Sequence, residues 1–437
     1  MFRYAGWLLV SALCACAADV TFYKDVLPIL QNHCQECHRP GEVGPMPLLT
    51  YKDTRPWATA IREAVRLRKM PPWFADRSVG HFRNDRSLSQ QDIDILSQWS
   101  DNKGPEGKVK DAPPPREWVE GWNIGKPDIV VQLPKAYDIP AKGTVEYTYF
   151  ILPSGFTKDT WVQAGEFRPG NRSVLHHATV FFRDPDSRWL RKYPAGEYFV
   201  PAEQIARANA PSSGATTNAG ASLLEERFLG YVPGRQAMVL PPGQARLIPA
   251  GSDIVVQFHY TTNGRPATDR SSFGLVIAKE APTRRFYTTA VANDKFIIPA
   301  GAADHVVQAS MTLRGDAELT GFYPHMHLRG KWMEYRAFYP GGRSELLLRI
   351  PRYDFNWQLV YELSESKRLP RGTRIEVTGA FDNSPNNPYN PDAKATVRWG
   401  DQSWEEMLAG FIQITVDPAT DVFELVGAPK KSTQTLE

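Results

Sequence analysis

Three residues near the start of the chain have the spacing at which a protein can attach haem covalently. They belong to the run Cys34-Gln-Glu-Cys37-His38. In a Cys-x-x-Cys-His run, the two thiols can form thioethers with the haem vinyl groups while the adjoining histidine reaches the iron. A zinc site would need a second cysteine pair, and the only other cysteines of the chain lie within residues 1–18. The run therefore predicts covalent haem c bound by Cys34, Cys37 and His38.

The opposite face of the haem iron needs a second ligand, for which three side chains are candidates. Met70 follows a predicted helix and lies between the haem motif and the last predicted helix of this region. Met46 is close to His38 in sequence, and His81 is the third candidate. We favour Met70 because small cytochromes place their axial methionine in this part of the chain. A methionine at the end of a helix can also be a packing residue.

A second set of candidate ligands is dispersed over the rest of the chain. It consists of His176, His177, His259, His325, His327 and Met407. His325 and His327 are two apart in a predicted strand, so both imidazoles project from one face. One metal ion could hold the neighbours His176 and His177 only at a bulge, at a bend or through different ring nitrogens. Imidazole together with a neutral thioether favours Cu(I) over zinc, so the set predicts copper.

Taken alone, His259 and Met407 are typical packing residues. The order of all six ligands, however, resembles that of the copper type II, ascorbate-dependent monooxygenases, the family of peptidylglycine α-hydroxylating monooxygenase and dopamine β-monooxygenase. The resemblance covers most of residues 128–420. Phrases around the ligands are also similar to the family: Val174-Leu-His-His-Ala178, Gly230-Tyr-Val-Pro-Gly234, Val256-Gln-Phe-His-Tyr260 and Pro324-His-Met-His-Leu-Arg-Gly330.

The resemblance implies two copper ions, each in its own β-sandwich. The first copper would be bound by His176, His177 and His259. The second would be bound by the catalytic residues His325, His327 and Met407. The second copper would activate O₂ and abstract hydrogen from a substrate C–H bond, while the first would relay an electron. The chain is then expected to be a monooxygenase that hydroxylates an organic small molecule.

Two departures from the family change what we expect of the partners. Peptide-processing members carry an arginine two residues before His-x-His, where this chain has Tyr323, so a peptidylglycine substrate is disfavoured. The haem motif is the second departure. We expect the haem to pass electrons from an external donor, either an ascorbate-like reductant or a redox protein, to the first copper.

Two other functions are compatible with the same residues. The first is a non-catalytic periplasmic protein that transfers electrons or holds copper, since it needs the same six ligands. The second is a binding module fused to a cytochrome, in which the histidines are coincidental. An open cleft with apolar walls between the two coppers would favour catalysis, and a filled cleft would favour storage or transfer.

The start of the chain predicts export. Residues 1–18 combine Arg3, a short apolar run and the small-x-small sequence Ala15-Cys16-Ala17 of a signal peptide. The apolar run is too short to span a bilayer, which takes roughly 20 residues, so we expect no transmembrane anchor. We therefore place the protein in the periplasm or outside the cell. A lipoprotein attached at this site is the less favoured alternative, since a cysteine is a poor second residue in such a site.

The elements that must position the ligands divide into helical and β regions. Helical periodicity over 19–105 predicts a small all-α domain that resembles cytochrome c. A proline-rich linker follows at 106–127. Short alternating strands then predict two all-β, jelly-roll-like sandwiches at 128–280 and 281–430. The net charge of the 437 residues is only +3, with both signs interspersed, so nucleic acid is not an expected partner.

Overall fold

The computed structural model describes residues 19–202, 225–234 and 237–427. The predicted signal peptide, residues 1–18, lies outside this part of the chain. No helix within it is long and apolar enough to cross a membrane. The described residues form two compact units, a helical unit of residues 19–71 and 87–116 and a β unit of residues 72–86 and 117–427. The predicted linker is thus divided between the two units after Arg116.

The helical unit contains short helices around one apolar core. A π-helical turn at Phe22–Val26 leads into α1, and 3₁₀ turns lie at Arg55–Trp57 and Val109–Asp111. The α-helices are α1 (Leu27–His33), α2 (Tyr51–Thr54), α3 (Ala58–Arg66) and α4 (Gln90–Asp101). Helix α4 starts with a capping box of Ser89 and Asp92, in which each side chain accepts the other residue's backbone N–H.

The β unit contains three large sheets and two short strand pairs. The nine-stranded sheet has the order β1 (Ile129–Gln132), β12 (Ser272–Ile277), β4 (Thr160–Arg168), β9 (Gln244–Ile248), β13 (Arg284–Asn293), β22 (Leu408–Val416), β16 (Ala317–His325) and β19 (Tyr361–Leu369), with β8 (Met238–Val239) beside β4. The five-stranded sheet has the order β6 (Tyr198–Phe199), β3 (Thr148–Pro153), β10 (Asp253–Tyr260), β5 (Leu175–Arg183) and β7 (Arg227–Tyr231). The four-stranded sheet has the order β15 (His305–Thr312), β20 (Arg374–Phe381), β17 (Gly330–Phe338) and β18 (Ser344–Ile350). The pairs are β2 (Tyr137–Ile139) with β11 (Ala267–Asp269) and β14 (Ile297–Ile298) with β21 (Val397–Arg398), and helix α5 (Val422–Val426) follows the last strand.

Two apolar cores lie against the nine-stranded sheet. The first is formed with the five-stranded sheet and includes Val180 and Val256. The second is formed with the four-stranded sheet and includes Tyr335 and Val377. A parallel pairing of β9 with β13 joins the strands of both cores into one sheet. The expectation of all-β sandwiches is confirmed, since helices account for only 13% of the structure.

Strand β22 is buried along its whole length because both of its faces are covered. A Cβ atom at Gly410 would lie 2.5 Å from Val377, so this face of β22 contacts the four-stranded sheet. Alternation places Ala409, Phe411 and Gln413 on the opposite face. This second face of β22 carries the residues that surround the candidate metal sites.

The five-stranded sheet also has two unlike faces. One contributes to the first core, and the other carries a separate cluster that includes Tyr149, Phe181 and Val255. Since side chains alternate along a strand, His177 of β5 and His259 of β10 lie on this second face. We call it the outer face of the five-stranded sheet.

Candidate metal sites

The haem motif lies in a tight turn that begins where α1 ends. The backbone N–H groups of Cys37 and His38 donate to the carbonyl of Cys34 over 3.1 and 2.9 Å. Neither thiol is in a disulfide, and burial raises the pKa of the Cys34 thiol to about 12. A Cβ atom at Gly44 would lie 2.6 Å from the Cys37 carbonyl oxygen. Only glycine therefore fits against this turn.

The imidazole of His38 is oriented as an iron ligand requires. Its Nδ1 lies 3.1 Å from the carbonyl oxygen of Met46. A carbonyl can only accept, so Nδ1 must carry the proton and Nε2 keeps its lone pair. Burial lowers the pKa of His38, which favours the neutral ring. These residues fit a covalently bound haem.

Two of the three candidate second ligands lie in the same unit as His38. Met46 and Met70 belong to the helical unit and are half-buried. The backbone of Met70 donates to the carbonyl of Ala64 over 3.3 Å. His81 belongs to the β unit, where its carbonyl accepts the N–H of Ser364. The choice of Met70 stays a prediction.

The first histidine set gathers three ring nitrogens at one point. Nδ1 of His259 lies 3.3 Å from Nδ1 of His176 and 3.2 Å from Nε2 of His177. Nitrogen ligands at about 2.0–2.1 Å from one metal ion have separations of this size. Among the described histidine, cysteine and acidic side chains, these three form a group whose possible ligand atoms lie within 4.8 Å of one another, close enough to hold one metal ion.

A bulge in β5 explains how neighbouring histidines face one point. His259 pairs with His177, whereas the next residue, Tyr260, pairs with Leu175. His176 is the extra residue of β5, so its side chain turns to the same side as His177. The two rings also present different nitrogens, Nδ1 and Nε2. The pair therefore combines two of the three arrangements that would let one metal ion hold both rings, a bulge and the use of different ring nitrogens.

Burial keeps the first set neutral and ready to bind a cation. It lowers the pKa of His176 to about 4 and lowers the pKa values of His177 and His259 well below the usual histidine range. The Tyr147 hydroxyl lies 3.0 Å from Nε2 of His177. The Ser403 hydroxyl lies 3.5 Å from Nε2 of His259, which leaves Nδ1 of that ring as the ligand atom.

The second pair is held by hydrogen bonds on the opposite ring nitrogens. Nδ1 of His325 lies 2.7 Å from Oε1 of Gln358, and Nδ1 of His327 lies 3.2 Å from the carbonyl of Glu405. Both partners accept, so each Nε2 keeps a lone pair. Nε2 of His327 is buried and has no hydrogen-bond partner in the described structure. The ring centroids of the pair are 5.1 Å apart.

The expectation that His325 and His327 share a strand is wrong. Strand β16 ends at His325, and His327 lies in a turn in which Gly330 donates to its carbonyl. The backbone N–H of His327 donates to Oε2 of Glu406 over 2.9 Å instead of to a strand. The two rings are neighbours because a turn, and not strand alternation, brings them together.

Met407 is linked to this pair through its backbone. His325 pairs with Ala409 of β22, and Met407 directly precedes that strand. The backbone N–H of Met407 donates to Oε2 of Glu406, the same oxygen that accepts the N–H of His327. Met407 is 4% exposed. Two imidazoles with available Nε2 atoms and a buried thioether fit a soft metal ion such as Cu(I).

Glu406 organises the turn around the second set, although the sequence analysis did not identify it. Its carboxylate accepts backbone N–H groups from His327, Arg329 and Met407. Burial raises the pKa of Glu406 to about 8. The three N–H donors and the Arg329 guanidinium act in the opposite direction, because they favour the charged carboxylate. The one visible signal of Glu406 is its position as an acidic residue two places before the apolar strand β22.

Phe355 lies between the two histidine sets and was also missed. Its ring centroid is 5.5 Å from that of His176, 6.1 Å from that of His259 and 5.9 Å from that of His327. The segment from Gly400 to Glu406 also reaches both sets, through Ser403 and Glu405. No sequence pattern marks Phe355, because it lies in an irregular segment between β18 and β19.

Comparisons with known proteins supply no family for the chain. No protein-family model matches it, and no curated protein matches it. Among solved structures, a chain from the structure of infectious bursal disease virus Gt strain is similar over 68% of this chain and 72% of its own, at 9% identity and a TM-score of 0.20. An allantoicase is similar over 58% of this chain and 81% of its own, at 11% identity and a TM-score of 0.16. Likeness at these scores supports no inference about fold or function.

Proposed function

We propose that the chain is an exported, haem- and copper-dependent monooxygenase that hydroxylates a C–H bond of a small organic molecule. The observation that carries the proposal is the convergence of three histidine nitrogens in the first set, in which His177 and His259 are buried and His176 is half-buried. The second histidine pair, whose turn shares the Glu406 carboxylate with the backbone of Met407, supports it further. The overall reaction would be R–H + O₂ + 2 e⁻ + 2 H⁺ → R–OH + H₂O.

The residues of the β unit would bind, orient and shield the two copper ions. His176, His177 and His259 would hold one ion, and His325, His327 and Met407 the other. Copper, when bound, supplies the one-electron chemistry that reduces dioxygen. Gln358 and Glu405 hold the rings of the second pair in the tautomer that leaves Nε2 available. Burial of His177, His259 and the second set would limit the access of bulk water to the bound ions.

The helical unit would supply electrons in this proposal. It would be a cytochrome c-like domain in which Cys34 and Cys37 bind haem covalently and His38 ligates the iron. Met70 would be the second axial ligand. An external donor, either an ascorbate-like reductant or a redox protein, would reduce this haem in the periplasm or outside the cell.

The second candidate function is a non-catalytic protein that holds copper or transfers electrons. Phe355 favours it, because its ring occupies the space between the two histidine sets. A substrate that reached the second set from this side would have to displace the ring. Catalysis therefore requires either movement of Phe355 or access from another side of the second set.

The metal content of the mature protein tests the proposal first. We would express the full chain with haem attachment machinery, supply copper and measure copper and iron by elemental analysis. We expect two coppers per haem, one copper per haem in His259→Ala, and two in the control His305→Ala, a partly exposed histidine outside both sets. Zinc in place of copper, or no metal, would contradict the proposal.

Oxygen chemistry then separates the two candidate functions. The reduced, copper-loaded chain would be incubated with ¹⁸O₂ and a panel of small organic acids, amines and neutral compounds. A monooxygenase should transfer one ¹⁸O atom to a product, and His325→Ala should abolish this transfer. Bound copper with no labelled product from any compound would favour the copper-holding function.

A further inference from the structure

A cavity of about 250 Å³ lies against the nine-stranded sheet. Three of its lining residues belong to central strands of that sheet, Arg246 of β9, Phe286 of β13 and Gln413 of β22. Strands β9 and β13 are the pair that joins the two cores into one sheet. None of the six candidate copper ligands is among the described residues that line the cavity. It is therefore a separate place in which a small molecule can bind.

The segment 72–86 closes one side of this cavity as part of the β unit. Nδ2 of Asn84 donates to the carbonyl of Val360 over 2.8 Å, and its Oδ1 accepts the N–H of Glu362 over 3.0 Å. The backbone N–H of Arg83 donates to the carbonyl of Glu362 over 2.9 Å. These bonds hold the segment on the sheet, so the cavity is preformed, as small-molecule sites usually are.

The side-chain amide of Gln413 lies at this cavity without a protein partner. Gln413 is 8% exposed, and no hydrogen bond joins its amide to another described residue. Two other buried glutamines of the β unit differ. Gln257 donates to the Tyr149 hydroxyl over 2.5 Å. Oε1 of Gln358 lies 2.7 Å from Nδ1 of His325. Because buried amides normally make hydrogen bonds, the amide of Gln413 points to a polar ligand in the cavity.

Arg246 lies close to Gln413 and brings positive charge to the same part of the cavity. Its Nη2 donates to the hydroxyl of Thr288 over 2.6 Å, and Thr288 is the cross-strand partner of Gln413. Directly paired residues of antiparallel strands project from the same face. The guanidinium carbon of Arg246 also lies 4.7 Å from the ring centroid of Phe286. A guanidinium, an amide and an aromatic ring therefore meet at this part of the lining.

Positive charge predominates around the cavity. The charged residues that line it are Arg83, Arg86, Arg246 and Glu362. Glu362 pairs with Arg83 over 2.8 Å. Glu226, which lies outside the lining, pairs with Arg246 over 2.7 Å. Three guanidiniums thus stand against two carboxylates, which favours a ligand with one negative charge.

The remaining lining is largely apolar and includes Trp73, Met238, Leu240 and Leu363. Trp73 is held in place by Tyr361, whose ring centroid is 4.8 Å away. An apolar body that packs on these side chains leaves water, which stabilises the complex. The volume is below the roughly 300 Å³ at which pockets for drug-sized ligands begin, so the ligand must be small.

We propose that this cavity binds a small organic acid. Its carboxylate accepts a hydrogen bond from Nε2 of Gln413 and lies against the guanidinium of Arg246, while its apolar body packs on Trp73 and Leu363. A carboxylate is ionised at neutral pH, and hydrogen bonds to an ionised acceptor are stronger than those between neutral groups. The inference does not rest on the proposed monooxygenase function, because no residue of this site is a candidate copper ligand.

Binding of a matched pair of probes tests the inference. The probes 4-fluorobenzoate and 4-fluorobenzamide, its neutral counterpart, are titrated into the full-length chain with and without copper and followed by ¹⁹F NMR. We expect the wild type to bind the benzoate about 10-fold more tightly than the amide, and equally well in both copper states. Equal binding of the two probes, including no binding of either, would overturn the inference. So would benzoate binding that requires copper, since the probe would then lie at the histidine sets.

Gln413→Glu changes the charge of the site at almost constant size. It sets a second carboxylate against that of the probe, so the affinity for the benzoate should fall by about 10-fold or more. The control Gln308→Glu alters an exposed glutamine of β15 and should bind the benzoate as the wild type does. An unchanged affinity in Gln413→Glu would contradict the site.

Ser364→Trp tests the location of the site without a change in the core. Ser364 is an exposed residue of β19 that lines the cavity, so an indole there should close it and remove benzoate binding. Glu365→Trp, at the next position, which is exposed and outside the lining, is the matched control. Undiminished binding in Ser364→Trp would overturn the assignment, and this variant decides the outcome if Gln413→Glu does not fold.

Discussion

The two candidate copper sets of the β unit are built in different ways. The three histidines of the first set lie in β5 and β10, and backbone pairing with one bulge brings their rings together. In the second set only His325 belongs to a strand, while His327 lies in a turn and Met407 precedes β22. Side chains and carbonyls from distant segments hold the second set. We therefore expect it to respond more strongly to substitutions outside its own ligands.

Removal of the ring between the sets should have the largest effect. Phe355→Ala should lower the free energy of unfolding by about 3–4 kcal/mol, because it leaves a cavity against both sets. It should also speed the removal of both coppers by a Cu(I) chelator. Urea unfolding of the full chain and the chelation rate measure the two effects. Tyr389→Ala, at an aromatic residue that is 60% exposed, is the control. Faster loss of copper from only one set would show that the Phe355 ring does not shield both sets.

Loss of the Glu406 carboxylate should affect only the second set. In Glu406→Gln an NH₂ group replaces one acceptor oxygen, so a buried N–H of this turn loses its partner. We expect a loss of about 2–3 kcal/mol in the free energy of unfolding and one copper less per haem. Glu405→Gln is the matched control, since Glu405 contacts His327 through its backbone carbonyl. Loss of copper from the first set instead would contradict the division into two sets.

Gln358 should support copper binding because its Oε1 accepts a hydrogen bond from Nδ1 of His325, which leaves Nε2 of that ring as the ligand atom. Gln358→Leu removes the acceptor for Nδ1 of His325 and so releases the tautomer and orientation of that ring. We expect the copper affinity of the second set to fall roughly 10- to 100-fold. Competition with a Cu(I) chelator measures it, with Asn356→Ala, in the same segment, as the control. An unchanged affinity would contradict the orienting role.

Tyr147 should have the smallest effect, and in the opposite direction. Its hydroxyl bonds Nε2 of His177, the nitrogen that faces the other two rings. Copper binding would have to break this hydrogen bond, so Tyr147→Phe should raise the copper affinity of the first set about 2- to 10-fold. The same chelator competition measures it. A lower affinity would show that the hydroxyl supports the ligand.

Much of the candidate site could be predicted because its signals are local or follow strand periodicity. The haem motif depends on residues within four positions of one another. The short alternating strands after residue 128 were enough to predict the all-β sandwiches. His327 was misplaced because its N–H is satisfied by Glu406, 79 residues away, and this contact ends the strand.

The types and order of the candidate ligands come from the sequence alone: the haem motif follows from residue identity and spacing, and the six later ligands are implied by the family resemblance of their order. Tertiary structure decided how they are arranged. The bulge at His176 and the hydrogen bonds that Gln358 and Glu406 accept all depend on segments far apart in the chain. The free energy of a buried polar group depends on the partners that folding brings to it, and local periodicity carries no information about those partners.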